Sequence, residues 1–231
     1  MTEILIKITD LIKTFPIGKG EFTALNKINL SFKKGEFAGL VGPSGSGKTT
    51  LLNIIGSLDT PTNGEASVIG KSVSKLSKKE AADLRNNYIG FIFQTYNLLP
   101  VYTVYENIEL PLLLQNKSGS ERKNAIMQAL EWVGLTAKIN SRPAQLSGGE
   151  CQRVSIARAM VKEPQIVLAD EPTANLDAKN SHHILKTMEK LNSELNATFI
   201  FATHDAKVIQ YLKRKIKLED GQVVDDVRIP K

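Results

Sequence analysis

Two stretches of this chain hold residues whose types and spacing suit phosphate chemistry. Gly42-Pro43-Ser44-Gly45-Ser46-Gly47-Lys48-Thr49 follows the apolar run from Phe37 to Val41 and leads into a helix-like segment beginning at Thr50. It fits G-x-x-x-x-G-K-[ST] at every fixed position, in the strand, loop and helix context that gives the pattern meaning. Gly42, Gly45 and Gly47 let the backbone take positive φ, so that successive N–H groups converge on phosphate oxygens. The positive end of the following helix adds to that pull. In such a cradle Lys48 reaches the β- and γ-phosphates, and the Thr49 hydroxyl is a hard oxygen ligand suited to Mg²⁺. The second stretch is Asp170-Glu171, which ends the apolar run from Gln165 to Ala169. Open α/β sheets bind ligands at the C-terminal ends of their strands. Asp170 is therefore expected to reach Mg²⁺, and Glu171 to polarise a water for in-line attack on the γ-phosphorus.

A third stretch, Leu146-Ser147-Gly148-Gly149-Glu150, precedes a helix-like segment from Cys151 to Met160. Ser147 and Glu150 form an S-x-x-E capping box, and the two glycines within it leave helix-end N–H groups open to an anion. Many helices begin with such a box, so alone it says little.

The elements that must position these groups are legible as alternating periods. Ile4 to Asp10 and Ile28 to Phe32 alternate apolar and polar residues as half-buried strands do, with Phe15 to Gly20 between them reading as a loop. Glu65 to Ile69 adds a short strand to the same N-terminal sheet, Ser77 to Asn86 is a charged helix, and Tyr88 to Phe93 is a buried strand. From Gln94 to Val161 strand-like runs disappear, and Ala125, Ile126, Ala129, Leu130 and Val133 fall at helical spacing. The α/β pattern returns with Gln165 to Ala169, an amphipathic helix through Ile184, Leu185, Met188, Leu191 and Leu195, and the strand Thr198 to Ala202. Continuous apolar strands alternating with helices imply a parallel sheet covered on both faces. Asp220-Gly221 turns a closing hairpin.

Composition narrows the class. The chain has 231 residues, 42 % of them apolar, enough for one sizeable core. Lys and Arg exceed Asp and Glu by six, but as scattered pairs that read as solvated faces, so no nucleic-acid partner is expected. A single cysteine, Cys151, precludes an internal disulfide and fits a reducing cytosol. The N-terminus lacks a signal peptide's apolar core, and no stretch approaches the roughly 20 apolar residues of a spanning helix. Any membrane role is then expected to run through a partner.

Gly42 to Thr49, Gln94, the LSGGE run, Asp170-Glu171, Leu176-Asp177 and His204 occur in the order and approximate spacing of the nucleotide-binding subunits of ABC transporters. The resemblance covers essentially the whole chain. It implies a P-loop NTPase fold of class α/β. A RecA-like parallel core, with an N-terminal antiparallel β subdomain, would be built from 1–94 and 162–231, with 95–161 as an inserted α-helical subdomain. It also implies that ATP and Mg²⁺ are bound between two copies paired head to tail, each ATP meeting the cradle of one (Gly42 to Thr49, with Thr50) and Ser147, Gly148, Gly149 and Glu150 of the other. Phe15 resembles the residue that stacks on adenine, Gln94 the glutamine that links Mg²⁺ to the helical lobe, Asp177 the acid that communicates across the dimer, and His204 the histidine that contacts the γ-phosphate. His182 and His183 carry no such resemblance and read as helix surface. The sequence departs from the family at Phe15, more often Tyr, at Glu150, more often Gln, and at Ala174, often Gly.

Phe93 to Pro100 and Thr103 to Pro111 resemble more narrowly the lipoprotein-releasing, macrolide-exporting and cell-division group, whose permeases use ATP to drive motion outside the membrane; here the permease is expected to be separately encoded. That resemblance implies a cytoplasmic ATPase on the inner face of the membrane, with Tyr96, Leu98, Leu99, Tyr102 and Tyr105 as candidate permease contacts. Two other classes compete. A soluble ABC-type ATPase of the repair type would need a long coiled coil, for which the interval from Thr50 to Gln145 is too short, whereas a scaffold ATPase for cluster assembly is weakened mainly by the segment after Gln94. A nucleotide-binding regulator without turnover would have no use for Glu171 and His204.

Overall fold

The computed structural model describes residues 3–18 and 20–229. In chain order the elements are β1 (Ile4–Ile17), β2 (Gly20–Lys33), β3 (Phe37–Val41), α1 (Lys48–Ile55), β4 (Asn63–Val68), β5 (Lys71–Ser72), α2 (Lys78–Tyr88), β6 (Ile89–Ile92), α3 (Val104–Leu114), α4 (Gly119–Val133), α5 (Gly148–Met160), β7 (Ile166–Asp170), α6 (Ala178–Leu195), β8 (Thr198–Thr203), α7 (Ala206–Ile209), β9 (Arg214–Glu219) and β10 (Gln222–Arg228). The first sheet is antiparallel, in the order β2-β1-β4-β5; the second runs β10-β9-β3-β8-β7-β6, parallel except for the β10 hairpin.

The fold corrects one expectation. Phe15-Pro16-Ile17 is not a loop but the end of β1, paired with β2 through Phe15↔Phe22, Pro16↔Glu21 and Ile17↔Gly20. Proline is tolerated because β4 pairs with β1 only as far as Ile12, leaving that side of β1 open. The Thr14 N–H already points away from β2, to the Thr62 hydroxyl, and Pro16 two residues on shares that orientation.

The parallel strands read as continuous apolar runs because both their faces are covered. Along β8, Phe199 and Phe201 join one apolar cluster and Ile200 and Ala202 the other. The first cluster includes α6 and the helices α3, α4 and α5; the second includes α1, α2 and the antiparallel sheet. What the function requires is the strand order: β3, β8 and β7 are adjacent, so the segments that follow them open side by side. No helix among the described residues is long and apolar enough to cross a membrane.

Candidate functional site

The cradle leaves the sheet after β3 and closes into α1. Gly47 caps that helix at φ 97°, and a Cβ there would lie 2.6 Å from the Ala24 carbonyl oxygen, so the position excludes any side chain twice over. Lys48 Nζ donates to the carbonyls of Gly42 and Pro43 at 2.8 and 2.7 Å, which folds the ammonium over the loop. Burial pulls its pKa below the ordinary lysine value, opposed by the charges of Glu171 and Asp170.

Asp170 ends β7 and Glu171 follows it at φ 45°. The Thr49 hydroxyl donates to Asp170 Oδ1 at 3.2 Å. Burial pushes the Asp170 carboxyl up, an effect the Thr49 hydrogen bond counters. Two hard oxygens side by side, one of them a partly desolvated carboxylate, fit Mg²⁺ as a ligand set. Glu171 is held by the last residue of β8 and the one that follows it. Thr203 Oγ1 donates to Oε2 at 2.9 Å, the His204 backbone N–H donates to Oε1 at 3.2 Å, and His204 Nδ1 lies 2.6 Å from Oε1. An ionised carboxylate only accepts, so Nδ1 carries the ring proton and Nε2 is the ring's remaining site for a ligand.

A cleft of about 430 Å³ is lined by Phe15, Ser44, Gly45, Gly47, Lys48, Thr49, Thr50, Gln94, Asp170, Glu171 and His204, together with Phe22 and Ala24. Most of the residues singled out from sequence thus meet in one place. Phe22 was missed; its signal would have been the pairing with Phe15 across the hairpin, invisible while that segment reads as a loop. Ser46 is buried, its hydroxyl 3.5 Å from Lys48 Nζ, and Gly42 and Pro43 face a separate hollow beside Ile209 and Lys215.

Ser147, Gly148, Gly149, Glu150 and Asp177 lie outside the cleft of their own chain. The capping box is present: the Ser147 N–H donates to Glu150 Oε2 at 2.8 Å, and the Glu150 N–H to Ser147 Oγ at 3.3 Å. The expectation that both glycines leave the helix start open needs amending. Gly148 is exposed, but Gly149 is buried, and a Cβ on it would fall 2.6 Å from Asn180 Oδ1. Asp177 caps α6, accepting from the Asn180 N–H at 2.8 Å, and its carboxylate also accepts from Asn180 Nδ2 at 2.6 Å. Asn175 Nδ2 donates to the Gln94 carbonyl at 2.9 Å, tying the segment before α6 to the loop after β6. His182 and His183 are exposed on α6, and His182 Nδ1 is hydrogen-bonded to the Tyr211 hydroxyl.

A second recess, a groove of about 500 Å³, opens between α2, α3 and the end of α5. None of Tyr96, Leu98, Leu99, Tyr102 and Tyr105 lines it. Leu98 and Tyr105 pack on the core of the helical lobe, Tyr96 turns its hydroxyl toward Gly148, and Leu99 and Tyr102 are exposed.

The sequence matches the family described as ABC transporter over residues 25–174. It is 44 % identical over 223 residues to an uncharacterized ABC transporter ATP-binding protein, MJ0796, of Methanocaldococcus jannaschii, covering 95 % of both chains. It is 43 % identical over 222 residues to the macrolide export ATP-binding/permease protein MacB of Chlorobaculum tepidum, covering 96 % of this chain but only 34 % of that protein's length. A dimeric structure of the MJ0796 cassette, in a post-hydrolysis state bound to ADP and Pi, superposes with a TM-score of 0.90 at 41 % identity, over 98 % of this chain and 99 % of that one.

Proposed function

The chain belongs to the ABC transporter family, and from that premise we propose that it is the ATP-hydrolysing subunit of a transporter, working as a head-to-tail homodimer around two Mg-ATP. The observation that carries this reading is the convergence of Lys48, Thr49, Asp170, Glu171 and His204 on one cleft, while the serine-capped start of α5 lies outside it. That split suits a second copy completing the site, and the dimeric form of the related cassette supports it.

Thr49 and Asp170, with Gln94 in the same cleft, would hold Mg²⁺, which when bound would supply positive charge to offset that of the phosphates. The cradle N–H groups and Lys48 bind and orient the phosphate chain, with Lys48 giving up its contacts to the Gly42 and Pro43 carbonyls. Phe15 and Phe22 offer aromatic surface to the base. Glu171 accepts the proton of the attacking water, and Thr203 fixes its carboxylate in place. His204 Nε2 reaches the γ-phosphate. Ser147 and the exposed Gly148 of the second copy donate to the same phosphate.

The permease is of the macrolide-efflux or lipoprotein-release type, on a separate membrane chain that holds this subunit at the cytoplasmic face. The match to the MacB relative, whose name joins ATP-binding and permease parts in one protein, supports the type of permease and not its place on a separate chain. Glu171→Gln tests the chemistry. The variant is expected to bind Mg-ATP as the parent does, to release phosphate at least ~100-fold more slowly, and to elute as an ATP-dependent dimer. Parental phosphate release, or a strictly monomeric ATP-loaded variant, would overturn the proposal.

A further inference from the structure

Another recess, of about 340 Å³, opens where the end of α4 meets α5 and the start of α6. Val133 and Gly134 line it from α4 and its cap, Arg153 from α5, and Lys179, Asn180 and His183 from α6. None of these residues belongs to the nucleotide cleft or to the groove between α2, α3 and α5.

The recess is cationic. Lys179 and His183, four residues apart, share one face of α6, and the half-buried Arg153 meets them from α5. Among the described residues no carboxylate lies within 4.0 Å of the charged atoms of any of the three. Arg153 is the least satisfied, for its Nε is buried and has no hydrogen-bond partner. A guanidinium carries five donors, and a buried donor left unpaired is costly. What the chain itself offers does not balance this charge. The C-terminal end of α4 carries about half a negative charge, less than two permanent cations need. Glu150, three residues before Arg153, already accepts from the Ser147 N–H at 2.8 Å and lies 3.6 Å from Lys138 Nζ.

We propose that this recess binds a phosphate group, held by Arg153, Lys179 and His183. Charge decides the chemistry. A phosphate monoester carries about −1.5 to −2 at neutral pH, which two permanent cations and an imidazole match, whereas a single carboxylate leaves one cation uncovered. A phosphate also has acceptor oxygens enough for the guanidinium fork and the ammonium at once. Inorganic phosphate and a small phosphate ester share this chemistry. Asn180 lines the recess as well, and its Oδ1 is the atom that a Cβ on Gly149 would strike. A bound phosphate therefore bridges α5 to α6 one helical turn beyond that contact, which gives a small anion a hold on the segment that starts at Ser147.

The test uses the full chain isotope-labelled at histidine, whose three imidazoles report separate places: His183 the recess, His204 the cleft and His182 the hydrogen bond to Tyr211. Inorganic phosphate and glycerol phosphate are titrated separately at constant pH, each against sodium chloride of equal ionic strength. The His183 resonance is expected to move along a saturating curve while His182 stays still. Arg153→Gln should weaken that binding ~10-fold and leave the response of His204 to phosphate in the cleft unchanged. Lys179→Gln, at an exposed position, should weaken it ~3-fold. Saturation by inorganic phosphate alone identifies the free ion as the ligand, and saturation by glycerol phosphate identifies an ester. No movement of His183 at tens of millimolar, movement that chloride reproduces, or binding that survives both substitutions overturns the proposal. So does a glutamate-rich peptide that moves His183 at lower concentration than either phosphate.

Discussion

Two helix starts in this molecule have almost the same sequence and opposite surroundings. Ser118-Gly119-Ser120-Glu121 opens α4 and Ser147-Gly148-Gly149-Glu150 opens α5. Both close a capping box with matching geometry: the serine N–H reaches the glutamate at 2.9 and 2.8 Å, and the glutamate N–H reaches the serine hydroxyl at 3.4 and 3.3 Å. In both, hydrogen bonds to that serine hold the glutamate's pKa below the usual carboxylate range. The difference lies outside the box. A Cβ on Gly119 would meet nothing within 4 Å, whereas one on Gly149 would strike Asn180, and one on Gly148 would come within 3.0 Å of the Tyr96 hydroxyl. Local hydrogen bonding is enough to start a helix. What sets α5 apart is the approach of two other segments, each tied in turn to the nucleotide cleft.

Substitutions at the three glycines can break or sharpen this contrast. The largest effect is expected for Gly149→Ala. The Asn180 side chain can yield only by giving up its Nδ2 hydrogen bond to Asp177, so the variant should lose about 1–3 kcal/mol in urea unfolding and most of its ATP turnover. Gly148→Ala meets only the tip of Tyr96 and should cost less, about 1 kcal/mol, with Tyr96→Phe restoring part of the loss because it removes the crowding atom. The smallest effect belongs to Gly119→Ala, which should be neutral or stabilise by up to ~0.5 kcal/mol, with turnover unaltered. If Gly149→Ala unfolds and turns over like Gly119→Ala, the packing against Asn180 has no bearing on function.

Much of the architecture was legible because the strands that carry the chemistry are also the most apolar runs in the chain. Phe37 to Val41, Gln165 to Ala169 and Thr198 to Ala202 were each read as strands and lie within a residue or two of β3, β7 and β8. The grouping of Lys48, Thr49, Asp170 and Glu171 followed from their places after those strands, whereas His204 joined them only through the family resemblance. Legibility failed where a residue's environment comes from far along the chain. Pro16 and the glycines beside it argued for a loop, and only pairing with β2 overrides that local signal, which is why Phe22 was missed. The closeness of Gly149 to Asn180 spans some 30 residues with no periodicity to mark it. The residues after Gln94 were candidate permease contacts through the family resemblance; Leu98 and Tyr105 pack on the lobe's own interior, whereas Leu99 and Tyr102 are exposed.

One apolar layer joins Phe199 and Phe201 of the sheet to Ile108, Leu130 and Val154 of the inserted helices. Those helices therefore own no separate interior, and their amide protons should exchange with solvent only through openings that also loosen the sheet face beneath. Excising residues 95–161 would leave a greasy flank on the remainder, not a smaller protein that folds by itself.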